Sequence, residues 1–220
     1  TLPKILWLRK HRPEVYRETA AFLASKDFLA GRLTGDYRST DLSDASLMGM
    51  LDIRNRCWSG DLVRELGLDE GKLPVLHRAH DILGGLTPAA ADALGLPPGI
   101  PVTAGGGDGA CATAGAGALR IGEGYCYIGG TAWIGVLSEE PVADPSARLF
   151  HYADLSGESL VACGTVQNAA LAVDWVLQAL MAPELDTCRR EGRNPHEAME
   201  QVAASVPPGS NGVLLLPYLM

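Results

Sequence analysis

Apolar and polar residues alternate in short blocks along this chain, and the blocks predict both strands and helices. Apolar runs at residues 100–104 and 124–128 each end in glycine, which is typical of a strand followed by a tight turn. The first of these runs is predicted to be a buried strand. A longer apolar pattern over residues 167–181, which includes Leu171, Trp175 and Leu180, predicts a helix. Because such strands and helices alternate, the sequence predicts an α/β fold.

Cap residues and helix breakers mark further elements. Thr87 at the N-cap, Pro88 at the first position and Gly95 at the end predict a helix over residues 89–94. The remaining predicted helices lie at residues 13–33, 60–66 and 195–204, and the remaining strands at 135–138, 149–155, 159–163 and 213–216.

A polar stretch at residues 36–45 contains Asp41, Ser43 and Asp44. These side chains could cap a following helical turn or face a cleft. Capping is the favoured interpretation, because short polar side chains satisfy the first free N–H groups of a helix.

The stretch from Ile100 to Ile134 holds the candidate chemistry. Three glycines and one acid, Asp108, follow the first predicted strand, and a run of small residues comes next. Glycines let the backbone approach a ligand closely, and open α/β sheets bind ligands at such strand-to-helix junctions. A carboxylate at this point can act as a general base. It can also simply cap the following helix, and local sequence favours the cap over the base.

A glycine pair follows the strand predicted at residues 124–128. Gly129, Gly130 and Thr131 offer backbone N–H groups and a hydroxyl that suit phosphate oxygens. Together with Asp108, these residues suggest phosphoryl transfer. The pattern G-x-x-x-x-G-K-[ST] does not occur in the sequence, so a P-loop is not indicated.

Composition narrows the range of partners. The 220 residues carry a formal net charge of −8 and no long basic run, which argues against nucleic acid or an anionic membrane surface as a partner. No apolar run approaches the ~18 residues that a membrane span needs. A hydrophobic content of 47% is enough for a substantial core.

The spacing of cysteines indicates the cellular compartment, and the spacing of histidines shows whether a metal site is expected. The five cysteines are dispersed and form no C-x-x-C pair, which is typical of reduced thiols in a cytoplasmic protein. His77 and His80 are close in sequence, but no cluster of Cys, His or acids completes a tetrahedral set around them. No residue of the sequence is therefore assigned to a metal.

With these residues described, the whole chain resembles an internal piece of an FGGY-family carbohydrate kinase, with the xylulokinase branch nearest. Four blocks carry the resemblance, in the family's order and spacing. They are P-K-I-L-W-L at residues 3–8, K-D-F-L-x-x-R-L-T-G at 26–35 with S-D-A-S at 43–46, A-G-G-G-D at 104–108, and L-L-P-Y-L at 215–219.

The resemblance implies an actin-like, ribonuclease H-type fold of two lobes, with ATP and a sugar bound in the cleft between them. Strand and turn patterns on both sides of Arg120 predict the division. Residues 1–119 would be the remainder of the N-terminal lobe, and residues 120–220 the start of the C-terminal lobe. The resemblance also implies Mg²⁺ as a cofactor, with its hairpin before Thr1 and the adenosine-binding glycines after Met220.

Roles for individual residues follow from the same resemblance. Asp108 corresponds to the catalytic base, and Asp108 with Gly109 to sugar-binding positions. The nucleotide and phosphate positions are Gly129, Gly130, Thr131, Ala170 and Asp174. The implied reaction is ATP-dependent phosphorylation of a sugar hydroxyl, on a ketopentose such as D-xylulose or on a related polyol or sugar acid. A homodimer is left open.

Two positions depart from the family's pattern. Gly109 stands where the family's xylulokinases have Asn, a sugar contact. The family's G-T-S loop is G-G-T here, so that Gly130 replaces the first hydroxyl and Thr131 takes the second position.

Two other functions are compatible with the same residues. Gly105, Gly107 and Ala110 imitate the G-x-G-x-x-A of a dinucleotide-binding oxidoreductase, but the next predicted strand ends in glycines rather than in the acid that would bind ribose. A non-catalytic actin-like scaffold or sugar sensor would keep the fold, and Gly109 and Gly130 are compatible with it. ATP hydrolysis measured with and without pentuloses separates these functions.

Overall fold

The computed structural model describes residues 1–219. In this range the α-helices are short and are distributed over the whole chain. They are α1 (Leu2–His11), α2 (Pro13–Glu18), α3 (Ser25–Thr34), α4 (Leu42–Ser46), α5 (Gly60–Glu65), α6 (Pro88–Leu94), α7 (Asp108–Gly115), α8 (Ala170–Ala179), α9 (Ala182–Glu191) and α10 (Pro195–Ala204).

Strands alternate with these helices, as the sequence predicts for an α/β fold. They are β1 (Ser39–Asp41), β2 (Leu51–Asp52), β3 (Cys57–Trp58), β4 (Val75–His77), β5 (Ile82–Gly85), β6 (Pro101–Thr103), β7 (Gly124–Ile128), β8 (Ala132–Ser138), β9 (Leu149–Ala153) and β10 (Leu160–Val166). β1 pairs with β4 in parallel, with Ser39 opposite Val75. The pairs β2–β3 and β5–β6 are antiparallel, and a four-stranded sheet has the order β7-β8-β10-β9.

The chain divides into two compact units. The first comprises residues 1–125 and 135–163, and the second comprises residues 126–134 and those from 164 onward. The predicted lobe boundary between residues 119 and 120 concerns the lobes of the whole protein and stays a prediction.

Two apolar clusters among the described residues contribute to the core of the first unit. One is built around Ile5, Met48, Met50, Val63 and Leu73. The other joins α4 to strands β9 and β10 through Leu42, Ala153 and Leu160. A fully buried side chain of this size contributes about 1.5–3 kcal/mol relative to an exposed one, so the second cluster anchors α4 firmly.

The second unit is a helical layer of α8, α9 and α10. Leu177 of α8 and Leu185 and Cys188 of α9 are buried. The side chain of Asn168, also buried, donates a hydrogen bond to the Pro217 carbonyl at 2.7 Å. This bond ties the end of the described chain to the segment that leads into α8.

Several local predictions are confirmed. α6 is capped by Thr87, whose hydroxyl accepts the Ala90 N–H, and it ends at Gly95 in the left-handed conformation. Asp41 is the N-cap of α4, where its carboxylate accepts the N–H groups of Ser43 and Asp44. These helix ends depend on neighbouring residues alone, which is why sequence predicts them well.

The helix predicted over residues 13–33 is wrong, because the structure breaks it between α2 and α3. Residues 19–24 are not helical, and their backbone is bonded to remote residues. The Phe22 N–H donates to the Lys72 carbonyl at 2.9 Å, and Arg38 donates to the Ala20 carbonyl at 2.8 Å. Tertiary hydrogen bonds replace the helical ones here.

Two strand predictions also need correction. Residues 213–216 form no strand, and Leu214 and Leu216 are exposed. β6 is present but is not buried, because Pro101 and Thr103 are exposed. α9 is a helix that the sequence analysis did not predict. No helix in residues 1–219 is long and apolar enough to span a membrane.

Candidate active site

Asp108 is the first residue of α7, directly after the glycine loop that leaves β6. The side chain is exposed, and its Oδ1 accepts the Gly109 N–H at 2.7 Å. Gly107, not Asp108, is the N-cap of the helix. One carboxylate oxygen therefore satisfies an N–H group at the helix start.

The loop before Asp108 needs its glycines for space and for conformation. Gly105 has φ of 68°, a left-handed value that side chains other than glycine rarely adopt. A Cβ on Gly106 would overlap Leu155 Cδ2, and a Cβ on Gly107 would lie 2.8 Å from Asp44 Oδ1. The loop is thus pressed against neighbouring residues of the same unit.

Lys26 brings three carboxylates together beneath this loop. Its ammonium nitrogen lies 2.6 Å from Asp27 Oδ1, 3.1 Å from Asp41 Oδ1 and 3.6 Å from Asp44 Oδ2. It also donates to the Ala104 carbonyl at 3.1 Å, just before the glycines. Asp27 and Asp41 are fully buried, so Lys26 supplies the positive charge that their ionised forms require.

Ser43 connects this charge cluster to the helix that carries Asp108. Its hydroxyl donates to Asp41 Oδ2, and it accepts the Gly107 N–H at 2.8 Å. Since Gly107 is the N-cap of α7, the buried network bonds to the backbone immediately before Asp108.

The cluster holds one ammonium group and three carboxyl groups, and this imbalance contributes to the pKa shifts of Lys26 and Asp44. Burial acts to lower the pKa of Lys26, but the hydrogen bond to Asp27 and the charge of Asp41 outweigh it and raise that pKa. Burial raises the pKa of Asp44; Lys26 opposes this shift, and the negative charges of Asp41 and Asp27 add to it. The carboxyl of Asp44, next to Gly107, is therefore more easily protonated than an ordinary aspartate.

The opposite side of α7 packs on Tyr152 of β9. The Tyr152 hydroxyl lies 3.2 Å from Thr113 Oγ1 and 3.4 Å from the Gly109 carbonyl. A Cβ on Gly109 would meet the Tyr152 ring at 3.3 Å. Burial raises the pKa of Tyr152 far above its usual range, so the hydroxyl stays protonated. Gly109 permits this close helix-to-strand packing.

The predicted phosphate loop, Gly129 to Thr131, connects β7 and β8 at the tip of a hairpin. The Gly129 N–H donates to the Thr131 carbonyl at 2.8 Å. The carbonyls of Gly130 and Gly129 accept the N–H groups of Ala169 and Ala170 at 2.8 and 2.9 Å. The N–H of Gly129, one of the predicted donors, and the N–H of Ala170 are thus engaged within the second unit, while Thr131 is exposed.

The structure places the other predicted residues in the same helical layer. Ala170 is the first residue of α8, and Asp174 lies one turn later on an exposed face. Gly130 packs on α8, since a Cβ there would lie 3.3 Å from Leu171 Cγ. The hairpin tip and the start of α8 therefore form one local site.

A metal cluster is not found in the described range. Residues 1–219 contain no group of three or more His, Cys, Asp or Glu side chains arranged to hold a metal ion. His77 instead contacts Ser39 Oγ at 3.1 Å and lies 4.0 Å from Asp81. The donor set of these residues does not fit Mg²⁺ by itself.

Comparison with known proteins decides the family. Residues 1–115, more than half of the chain, match the N-terminal domain of the FGGY family of carbohydrate kinases. The chain belongs to this family. It is 33% identical over 223 residues to the xylulose kinase of Bacillus subtilis strain 168, covering all of this chain and 42% of that protein. It is also 33% identical over 219 residues to the autoinducer-2 kinase of Klebsiella pneumoniae, with 97% and 40% covered.

A solved structure of this family has the same fold. The gluconate kinase from Lactobacillus acidophilus superposes with a TM-score of 0.87 at 25% identity, over 99% of this chain and 42% of that one. This chain thus has the actin-like, ribonuclease H-like fold that its resemblance to the FGGY family implies. It spans about two fifths of the length of these relatives.

The cluster around Lys26 does not follow from the sequence pattern. Capping is the role that the pattern favours for Asp41, Ser43 and Asp44, and Lys26 stands out only as part of a family block. The local sequence gives no sign of burial at Lys26 and Asp27, because the apolar residues that follow, Phe28 and Leu29, are exposed. The contact with Gly107, 64 positions away from Ser43, has no local signature.

Proposed function

We propose that the whole protein transfers the γ-phosphoryl group of ATP to a hydroxyl of a sugar, with Asp108 as general base. The observation that carries the proposal is the placement of Asp108. It is an exposed carboxylate at the start of α7, directly after Gly107, whose N–H is bonded to a buried polar network, in a chain of a carbohydrate kinase family.

The chemistry required of Asp108 is proton acceptance. A sugar hydroxyl is a weak nucleophile, and a carboxylate within hydrogen-bond reach takes its proton as the oxygen attacks phosphorus. Asp108 keeps one oxygen on the Gly109 N–H, which orients the other. The first turn of α7 also favours a negative charge, because the helix N-terminus carries partial positive charge.

The hairpin tip is the proposed phosphate site. Because the N–H groups of Gly129 and Ala170 are engaged, we assign phosphate binding to the N–H groups of Gly130 and Thr131 and to the Thr131 hydroxyl. Asp174 is assigned to the nucleotide side of the same site. Mg²⁺ would neutralise phosphate charge when bound, and residues 1–219 hold no donor set that fits it by itself.

The proposed substrate class is a ketopentose such as D-xylulose, or a related polyol or sugar acid. Relatives are named for xylulose, autoinducer-2 and gluconate, so the family alone leaves this choice open. The proposed division into lobes, at residues 119 and 120, remains part of the same proposal. Five unpaired cysteines support a cytoplasmic location.

A substrate panel tests the function. The protein that carries this chain in its full length is incubated with ATP, Mg²⁺ and single ketopentoses, polyols or sugar acids, and ADP release is measured against a sugar-free control. We expect at least one compound to raise ADP release by roughly tenfold or more and to yield a phosphosugar by mass spectrometry. Sugar binding without turnover for every compound would instead support the non-catalytic scaffold.

A further inference from the structure

Ser43 lies at the point where the buried charge cluster meets the helix of Asp108. The residue is 2% exposed, and it belongs to α4 rather than to the loop it contacts. Its hydroxyl accepts the Gly107 N–H at 2.8 Å and donates to Asp41 Oδ2. Both partners are fixed, because Gly107 caps α7 and Asp41 caps α4.

The direction of each hydrogen bond follows from the chemistry of the groups. An ionised carboxylate accepts only, and a lysine ammonium donates only. Lys26 therefore donates to Asp41, and Ser43 must donate its single proton to Asp41. A lone pair of Ser43 is then left for the Gly107 N–H, so the orientation of the hydroxyl is determined by the charge cluster.

The Asp108 side chain has little support of its own. Within residues 1–219 its hydrogen bond is the local one to the Gly109 N–H. The position of the carboxylate is thus set by the backbone at residues 107 and 108. That backbone is held from α4 by Ser43 and, before the glycines, by the bond from Lys26 to the Ala104 carbonyl.

We propose that Ser43 is a positioning residue for Asp108: through the Gly107 N–H it holds the start of α7 so that the carboxylate meets the attacking hydroxyl. This inference rests on the proposed kinase function. Misplacement of a reacting group by about 1 Å can cost a hundredfold in rate, so loss of one such bond has a measurable effect on kcat.

Ser46 provides a matched control on the same helix. Its hydroxyl also accepts a backbone N–H from a remote segment, that of Ala153 at 3.0 Å, and it donates to the Leu42 carbonyl. Ser43→Ala and Ser46→Ala therefore remove comparable bonds from α4. Only the first of these bonds is made to the backbone directly before Asp108, whereas the second is made to β9.

The test compares the two variants in the full-length protein with a sugar that the wild type phosphorylates. We expect Ser43→Ala to lower kcat by about tenfold to a hundredfold with the KM for ATP and for sugar within about twofold. Ser46→Ala should leave kcat unchanged, although both variants lower Tm by a few degrees. Equal kcat values for the two variants would overturn the positioning role.

Two further variants keep the result interpretable. Ser43→Thr retains the hydroxyl and should restore at least about half of the wild-type kcat, whereas an inactive but folded Thr variant would contradict the inference. Asp108→Asn is measured in parallel. If it loses activity while Ser43→Ala does not, the positioning role fails and the kinase function stands. If Asp108→Asn is fully active, both proposals fail.

Discussion

Lys26 Nζ lies 3.1 Å from Asp41 Oδ1, and this pair joins the start of α3 to the N-cap of α4. Asp41 is fully buried, while the Lys26 side chain is about one fifth exposed. The pair is surrounded by two further carboxylates, those of Asp27 and Asp44. The ammonium group of Lys26 therefore offsets the repulsion among three carboxylates that are buried or half-buried.

Removal of the Lys26 charge should be strongly destabilising. Lys26→Met keeps most of the aliphatic volume but leaves Asp27 and Asp41 buried without a cation. Breaking a buried ion pair from one side typically costs about 3–5 kcal/mol. We expect urea titration to give a free energy of unfolding about 3–5 kcal/mol below that of the wild type. The Tm should be lower as well.

Arg54→Met is the matched control for Lys26→Met. Arg54 pairs with Glu140 at 3.3 Å, but both side chains are mostly exposed. Such surface pairs contribute about 0–1 kcal/mol, so this variant should unfold like the wild type. Equal stability of the Lys26 and Arg54 variants would contradict the role given to the buried cluster.

The raised pKa of Asp44 predicts a pH dependence of stability. Burial is the main cause of the shift, and it makes the folded chain hold a proton at pH values where the unfolded chain has lost it. Stability contributed by this group therefore falls as pH rises from the ordinary value of 3.8 through the folded pKa. Asp44→Asn removes that loss, so its stability relative to wild type should increase as pH rises through this window and then level off.

Asp144 offers a control of the opposite sign. The Arg148 side chain and two backbone N–H groups lower its pKa to about 2. Its contribution to stability is present above the ordinary value of 3.8 and is lost as pH falls towards about 2. Asp144→Asn should therefore lose stability relative to wild type as pH rises through that lower window. Urea unfolding at a series of pH values measures the stability of each variant relative to the wild type. If this difference changed with pH in the same direction for both variants, the opposite pKa shifts of Asp44 and Asp144 would be refuted.

The space around Gly107 predicts the effect of a single methyl group. Gly107→Ala is compatible with the backbone, whose φ is −60°, but the new Cβ would lie 2.8 Å from Asp44 Oδ1. Asp44 must then move from its place beside Lys26. We expect a loss of about 1–3 kcal/mol in stability, as for other overpacked sites, together with a reduced kcat.

Gly115→Ala, at the other end of α7, is the control for this change. A Cβ there meets no atom within 4 Å. Since alanine favours a helix more than glycine does, the variant should be neutral or more stable by up to about 1 kcal/mol. A Gly107 variant as stable and active as the Gly115 variant would show that the loop is less tightly packed than described.

The sequence predicted those features that neighbouring residues determine. Thr87, Pro88 and Gly95 mark both ends of α6, and Asp41 caps α4 as expected. It did not predict contacts between residues that are far apart in the chain. The break before α3 depends on bonds from Phe22 to Lys72, and the support of Asp108 depends on a bond from Gly107 to Ser43.

Strand prediction at residues 213–216 failed for a related reason. The apolar run there fits a buried strand, but a strand needs a partner that supplies backbone hydrogen bonds. In the described chain Leu214 and Leu216 are exposed, and the segment is not paired in a sheet. The glycine loop and Asp108 were recognisable because their chemistry lies within five consecutive residues, Ala104 to Asp108.

The most direct test of the account is the kcat of Asp108→Asn in the full-length protein. Asn retains the size of the side chain and an oxygen that can accept the Gly109 N–H, but it cannot take a proton from the attacking hydroxyl. Asp61→Asn, an exposed acid in the first turn of α5, is the control and should leave kcat unchanged. We predict that Asp108→Asn lowers kcat by at least about a hundredfold, with Tm changed by no more than a few degrees. A fully active Asp108→Asn enzyme would contradict the role of Asp108 as base and leave it only a helix-start residue.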